Sequence, residues 1–227
     1  MRSPILIMGL ASVALLGSET PKGLSSSDWS AIRAEYERHR HAAVPEPGGF
    51  KARNAGQQWT IHFDGRGFTV KPDGAQWTWG LELERYGFAG SERTVKSARP
   101  SAGGNQVRHE RGGLEEWFLN DGRGLEQGFT LKQRPPGEGR LRLDLAVRGG
   151  LKPRVAKDAV SFVDAKGAAV LSYGGLKAWD ADGKVLATRF EPAGEMVRLT
   201  VDERGATDGF VKISDTPRGT ATASLRD

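Results

Sequence analysis

In a chain of 227 residues without cysteine, chemistry has to come from histidine, serine, the carboxylates and the basic residues. The lack of thiols excludes a disulfide scaffold, a cysteine nucleophile, thiolate zinc sites and iron–sulfur clusters. Four histidines remain: His39, His41, His62 and His109. His39 and His41 stand two apart in a stretch of helical periodicity and so diverge, and His62 falls on the polar side of a strand. No metal-ligating cluster follows. A serine hydrolase is disfavoured because no G-x-S-x-G turn is present. Glu115, Glu116 and Glu126 lie close in sequence to Trp117, a combination that can grip or cleave a sugar. Successive strand residues point to opposite faces, so Glu115 and Glu116 cannot form the acid and nucleophile pair together. They stand with Trp117 as candidate glycan contacts. Asp180-Ala181-Asp182-Gly183 repeats the start of a calcium loop, making Asp180 and Asp182 a candidate calcium turn. The distal ligands are missing, and a hairpin turn accounts for the Asp-Gly pair without an ion. No catalytic residue, resident metal or cofactor is expected, and the chain is not expected to be an enzyme.

The positioning elements follow from periodicity. Hydrophobic residues make up 37%, aromatic residues 8% and charged residues 27%, the composition of a folded domain. Leu24-Ser25-Ser26-Ser27-Asp28 supplies capping oxygens, and Trp29, Ile32 and Tyr36 recur at helical spacing. One amphipathic helix over 28–43 is expected, ended by Pro45, Pro47, Gly48 and Gly49. From there the period is two. Trp59-Thr60-Ile61-His62-Phe63 and Phe68-Thr69-Val70 flank a glycine-rich turn, and Trp77, Trp79, Leu81 and Leu83 alternate with small or charged residues. Trp117 and Leu119, Phe129 and Leu131, Leu141 to Val147 and Val197 to Val201 repeat the pattern. The tryptophans on these strands, Trp117 included, are expected on the core face rather than as a sugar platform. Breaks at 100–104, 121–124, 135–139, 149–150, 174–175 and 181–183 leave no room for helical crossovers. The expected fold is therefore all-β, mainly an antiparallel β-sandwich, with one N-terminal helix. Its parts are a helix and Pro/Gly linker over 24–49, a sandwich region over 50–213 with a candidate division near Gly149, and a flexible tail over 214–227.

The formal charge of +5 and isoelectric point near 9.6 do not imply nucleic acid, because 33 basic residues are interspersed with 28 acidic ones. Arg140, Arg142 and Arg148 share one strand face with Asp144 among them, which reads as a solvated face. The N-terminus carries more information. Arg2 precedes an uncharged apolar stretch from Ile5 to Gly17, followed at once by polar residues. This is signal-peptide anatomy, about 13 residues being short of the ~20 needed to cross a bilayer. Residues 1–23 are expected to act as a signal peptide, or as an N-terminal membrane anchor if uncleaved, and the protein to be secreted or extracytoplasmic. Ser18 stands where a lipoprotein box would carry cysteine, so lipid anchoring is not expected.

Several segments taken together resemble a known arrangement: Ala52-Arg53-Asn54-Ala55-Gly56-Gln57-Gln58-Trp59, Phe63-Asp64-Gly65-Arg66-Gly67-Phe68, Trp79-Gly80-Leu81-Glu82-Leu83, Glu116-Trp117-Phe118-Leu119-Asn120, Gly124-Leu125-Glu126-Gln127-Gly128-Phe129-Thr130-Leu131 and Tyr173-Gly174-Gly175-Leu176-Lys177-Ala178-Trp179-Asp180. Over about 28–206 the chain is similar to the β-rich region that precedes the propeller in large secreted bacterial proteins with FG-GAP (integrin-α-like) repeats. The resemblance implies a non-catalytic module with a structural or extracellular interaction role at the cell surface, its partner an extracellular protein or glycan. It brings no catalytic or ligand-binding residue. After Gly205-Ala206 the sequence departs from that pattern, and no propeller blade follows, which fits a frameshifted or prematurely ended gene. The alternative expectation is a carbohydrate-binding or weakly glycan-active secreted protein acting through Glu115, Glu116 and Trp117.

Overall fold

The computed structural model describes residues 20–204, 206 and 211–215, so the apolar leader stretch and most of the expected tail lie outside the described residues. The chain divides into two compact units, Met1–Tyr36 and Glu37–Asp227. Helix α1 runs over Ser26–Arg40 rather than 28–43. Its start is set by Ser25, whose hydroxyl accepts the Asp28 N–H at 3.1 Å as an N-cap. The expected apolar stripe is not buried: Ile32 and Tyr36 are 48% and 51% exposed. Among the described residues no helix is long and apolar enough to cross a membrane.

The second unit is built of antiparallel strands, as the alternation predicts. Residues expected to be a linker instead form a hairpin, β1 (Ala43–Glu46) and β2 (Gly49–Asn54). Pro47 presets its turn, and Gly48 takes the left-handed conformation (φ 86°) that the position after it requires. The chain continues through β3 (Trp59–Phe63), β4 (Gly67–Pro72), β5 (Trp79–Phe88) and the short β6 (Arg93–Thr94). Pro100–Gly104, expected as a break, is mostly strand: Pro100–Gly103 is β7, where a proline is tolerated as the first residue of an edge strand. Next come β8 (Gln106–Glu110), β9 (Leu114–Asp121), β10 (Gly124–Leu131) and β11 (Arg140–Gly149). A separate three-stranded sheet follows, β12 (Lys152–Val155), β13 (Ala159–Val163) and β14 (Ala169–Gly174). The last strands are β15 (Leu176–Trp179), β16 (Val185–Ala193), β17 (Met196–Asp202) and β18 (Val211–Asp215).

The main sheet runs β1-β2-β3-β4-β5-β11-β17-β16-β15-β18-β10-β9-β8-β7, with β6 added on β5. Its two ends approach each other, and the Ala43 N–H bonds the Gly104 carbonyl at 2.9 Å. The sheet is thus folded into two facing layers, β1–β5 with β11, β17 and β16 against β7–β10 with β15 and β18. Phe118 of β9 meets Phe63 of β3 and Phe68 of β4 across the core, at ring separations of 5.1 and 5.5 Å. Leu141, Leu143, Leu145, Val197, Leu199 and Val201 are buried as the alternation predicts. Each such side chain contributes about 1.5–3 kcal/mol by leaving water. Trp59 and Trp79 are core residues, whereas Trp77 precedes β5 and is only partly buried. The expected hairpin over Trp59–Val70 and the Leu176–Leu186 hairpin are both present. Val211–Asp215 is not an edge strand: β18 lies between β10 and β15, so Ser214, expected as the start of a tail, is paired on both sides.

Candidate functional site

The candidate glycan contacts sit on β9, whose facing is the reverse of the expected one. Leu114, Glu116, Phe118 and Asn120 point inward, and Glu115, Trp117, Leu119 and Asp121 are half-buried on the outer side. Trp117 is therefore not a core tryptophan. Its ring lies flat on the backbone of Gly128, where an added Cβ would come within 2.0 Å of the indole. The indole N–H donates to Thr130 Oγ1 at 3.3 Å. Glu115 lies beside it and pairs with Lys132 at 3.3 Å. Glu116 is on the opposite face, so the structure does not bring the three candidates together.

Glu116 is the centre of a buried polar cluster. Arg111, on the tight turn between β8 and β9, donates to Glu116 Oε2 through Nη2 at 2.8 Å and Nε at 3.1 Å. Nδ1 of His109 lies 3.2 Å from the same oxygen. Glu116 Oε1 accepts from Gln127 of β10 at 2.8 Å, and Gln127 Oε1 accepts the Tyr173 hydroxyl at 3.1 Å. Arg111 also donates to the carbonyls of Lys96 and Arg66, at 2.6 and 2.8 Å, stitching the turn to the segments beside it. His109 and Glu116 have no exposed surface. A second buried cluster joins the same strand to the N-terminal hairpin: Asn54 donates to Asn120 Oδ1 at 2.8 Å, and Asn120 donates to the carbonyls of His41 and Arg53 at 3.0 and 3.1 Å.

A His–carboxylate pair is the skeleton of a general base, so access decides what the cluster can do. Arg111 lines a cavity of about 440 Å³ with Tyr86, Arg93, Lys96 and Glu110, but neither His109 nor Glu116 reaches its wall. His109 Nε2 is buried with no hydrogen-bond partner and stands edge-on to Phe118 at 5.2 Å. No reacting group can approach either nitrogen, and the cluster works as a clamp. Sequence reasoning missed Arg111, Gln127 and Tyr173 as its members, since each partner lies on a different segment.

Asp180 is buried, and its Oδ1 accepts the backbone N–H groups of Asp182 and Lys184 at 3.1 and 2.8 Å. That carboxylate oxygen closes a hairpin turn, with Gly183 in the left-handed conformation (φ 82°). Asp182 follows on the exposed side of the turn. Among the described residues no group of three metal-ligating side chains is found. His62 stands on the polar face of β3 and pairs with Glu46 at 2.7 Å. His41, beyond the helix end, is buried with Nδ1 2.8 Å from the Glu37 carbonyl oxygen.

The outer face of β5, β11, β17 and β16 carries a charge lattice. Buried Asp144 accepts from Arg198 Nε and Arg85 Nη2, each at 2.6 Å. Burial pushes its carboxyl up, but the two guanidiniums outweigh it and hold the carboxyl below the usual range. Arg142 pairs with Glu92 at 3.1 Å, and Arg148 with Asp64 at 2.6 Å. The basic residues of this face are largely neutralised in place, which is a poor footprint for a nucleic-acid backbone. Comparison of the chain with protein-family models, with curated proteins and with solved structures returns no match.

Proposed function

We propose that the chain is a secreted, non-catalytic β module with a structural or extracellular interaction role, of the kind that precedes the propeller in FG-GAP repeat proteins. The observation that carries this reading is the sealing of the Glu116 cluster. The buried grouping of His109, Glu116 and Arg111, which has catalytic chemistry in it, is closed to solvent and consumed in hydrogen bonds among its own members. Such a network rigidifies a fold and specifies its register, and it leaves the work of the protein to its surface. The N-terminal charge and apolar stretch support export.

The test has two arms. Expressed in full in a bacterial host, the protein should appear outside the cytoplasm with its N-terminus trimmed by roughly 17–23 residues; intact Met1 on cytoplasmic protein overturns the export part. Applied to a glycan array, the protein should show no sugar-dependent retention that Trp117→Ala abolishes. Retention lost in that variant, with an unchanged melting temperature, would replace the reading with the carbohydrate-binding alternative.

A further inference from the structure

On the outer face of β11, β17 and β16 lies a cavity of about 250 Å³, far from the Glu116 cluster in chemistry and lined by none of its residues. Its wall includes Arg140 from β11, Thr200 and Asp202 from β17, Thr188 and Arg189 from β16, and Lys157 from the turn between β12 and β13. That turn is fixed in place, because the Phe190 N–H of β16 bonds the Lys157 carbonyl at 3.0 Å. The strand register brings the other groups together: Arg140 stands opposite Asp202, and Arg189 opposite Thr200.

The charges here differ from those of the surrounding lattice. Arg198, Arg85, Arg142 and Arg148 each have a carboxylate partner. Arg140 and Lys157 are exposed, and among the described residues neither has a carboxylate within ion-pair distance. The one carboxylate in the wall, Asp202, is already engaged: Arg204 donates to both its oxygens, at 2.6 and 2.9 Å. That guanidinium holds the Asp202 carboxyl down at about 2, so it stays ionised and paired. Arg189 is matched by Glu191. Among the described residues the cavity is left with two cations outside any ion pair, Arg140 meeting the Asp202 charge only at longer range. Thr200 adds an independent observation: it is 2% exposed, and among the described residues its Oγ1 has no hydrogen-bond partner. A buried hydroxyl without a partner carries a desolvation penalty, and spare donor capacity beside unpaired cations is what an oxyanion uses.

We infer that Arg140, Lys157 and Thr200, with Arg189 beside them, form a binding site for a single oxyanion, a phosphate, sulfate or carboxylate group. The volume is below the ~300 Å³ at which pockets enclose drug-sized ligands, so the site takes one charged group and at most the small ring that bears it. The group can come as a free ion or as the substituent of an acidic sugar. Binding does not depend on export or on the absence of catalysis, so this inference and the proposed function fail separately.

The experiment is a titration of the full chain followed by amide chemical shifts of Thr188, Thr200 and Lys157, at constant ionic strength made up with sodium chloride. The probes are inorganic sulfate, inorganic phosphate, glucuronate and, as a neutral control, glucose. Saturable shifts at these amides are expected with at least one of the three anions and none with glucose. Tighter binding of glucuronate than of the inorganic ions assigns the group to an acidic sugar; the reverse assigns it to a free ion. Arg140→Ala and Lys157→Ala should each weaken binding about threefold and the double variant about tenfold. Thr200→Val keeps the shape of the side chain. It should weaken binding about fivefold while leaving the melting temperature equal or higher, because it removes an unsatisfied buried hydroxyl. Shifts reproduced by sodium chloride alone, or affinities unchanged in the double variant, overturn the proposal.

Discussion

Replacing Glu116 by glutamine separates a structural carboxylate from a reactive one. The change keeps the volume but removes the charge and turns one oxygen into an NH2 that must face a donor, either Arg111 or Gln127. Arg111 and Glu116 are 2% and 0% exposed, so water cannot compensate. Arg111 would keep the carbonyls of Lys96 and Arg66, but its bonds to residue 116 would either lose their charge assistance or, with the NH2 turned toward it, be lost. Breaking a buried pair from one side costs about 3–5 kcal/mol. In a domain of this size each kcal/mol lowers the melting temperature by roughly 2–4 °C, so a fall of about 6–20 °C is expected. Glu115→Gln is the control on the neighbouring residue. Its partner Lys132 is 42% exposed, and the expected loss is below about 1 kcal/mol. Urea unfolding followed by circular dichroism measures both, with the slope of the transition confirming that the same surface is exposed. A Glu116→Gln protein as stable as Glu115→Gln would refute the clamp.

Leu143→Asp should cost several kcal/mol by burying an unpaired carboxylate in the core, whereas Arg142→Asp should cost about 1–2 kcal/mol through loss of its Glu92 partner; equal melting temperatures would mean the facing of β11 is wrong. Asp144 has a folded pKa below its unfolded value, so its contribution is complete above about pH 4 and is lost as the pH falls from there through the folded value; Asp144→Asn should flatten the stability profile in that acid range, and an unchanged profile would show that the two arginines do not act on it. Gly128→Ala drives a methyl into the Trp117 ring and should cost about 1–3 kcal/mol with a change in tryptophan fluorescence; a silent substitution would place the indole elsewhere.

Much of the architecture was legible because most strands keep a strict period of two. β11 and β17 are examples, with leucines and valines inside and arginines outside. β9 was misread because two of its four inward residues, Glu116 and Asn120, are polar, and their partners lie on remote segments that no local pattern reveals. A signal for the correct facing was nonetheless present. The two-residue turn Gly122-Arg123 pairs Asp121 with Gly124, which sets Leu114 opposite Leu131 and Glu116 opposite Phe129. Since Phe129 and Leu131 are plainly core residues, Glu116 must join them. The oxyanion site was illegible for another reason: Arg140, Lys157, Arg189 and Thr200 come together only through strand order, which composition does not encode. The linker expected around Pro45 to Gly49 failed because proline and glycine there build a hairpin turn instead of ending structure.

The insertion of β18 between β10 and β15 has a consequence for how the molecule comes into being. Synthesis delivers β10 and β15 first, and both remain with open backbone edges until Val211–Asp215 emerges to pair with the two at once. Until that moment the second layer is two unjoined pieces, each a template for the matching strand of another nascent copy. The native state is reached by a closure and not by accretion, so a chain of this design benefits from staying unfolded, in the grip of a holdase, until Val211–Asp215 is available. Ile213, fully buried at the centre of that closing strand, is the residue through which the core registers that the chain has arrived.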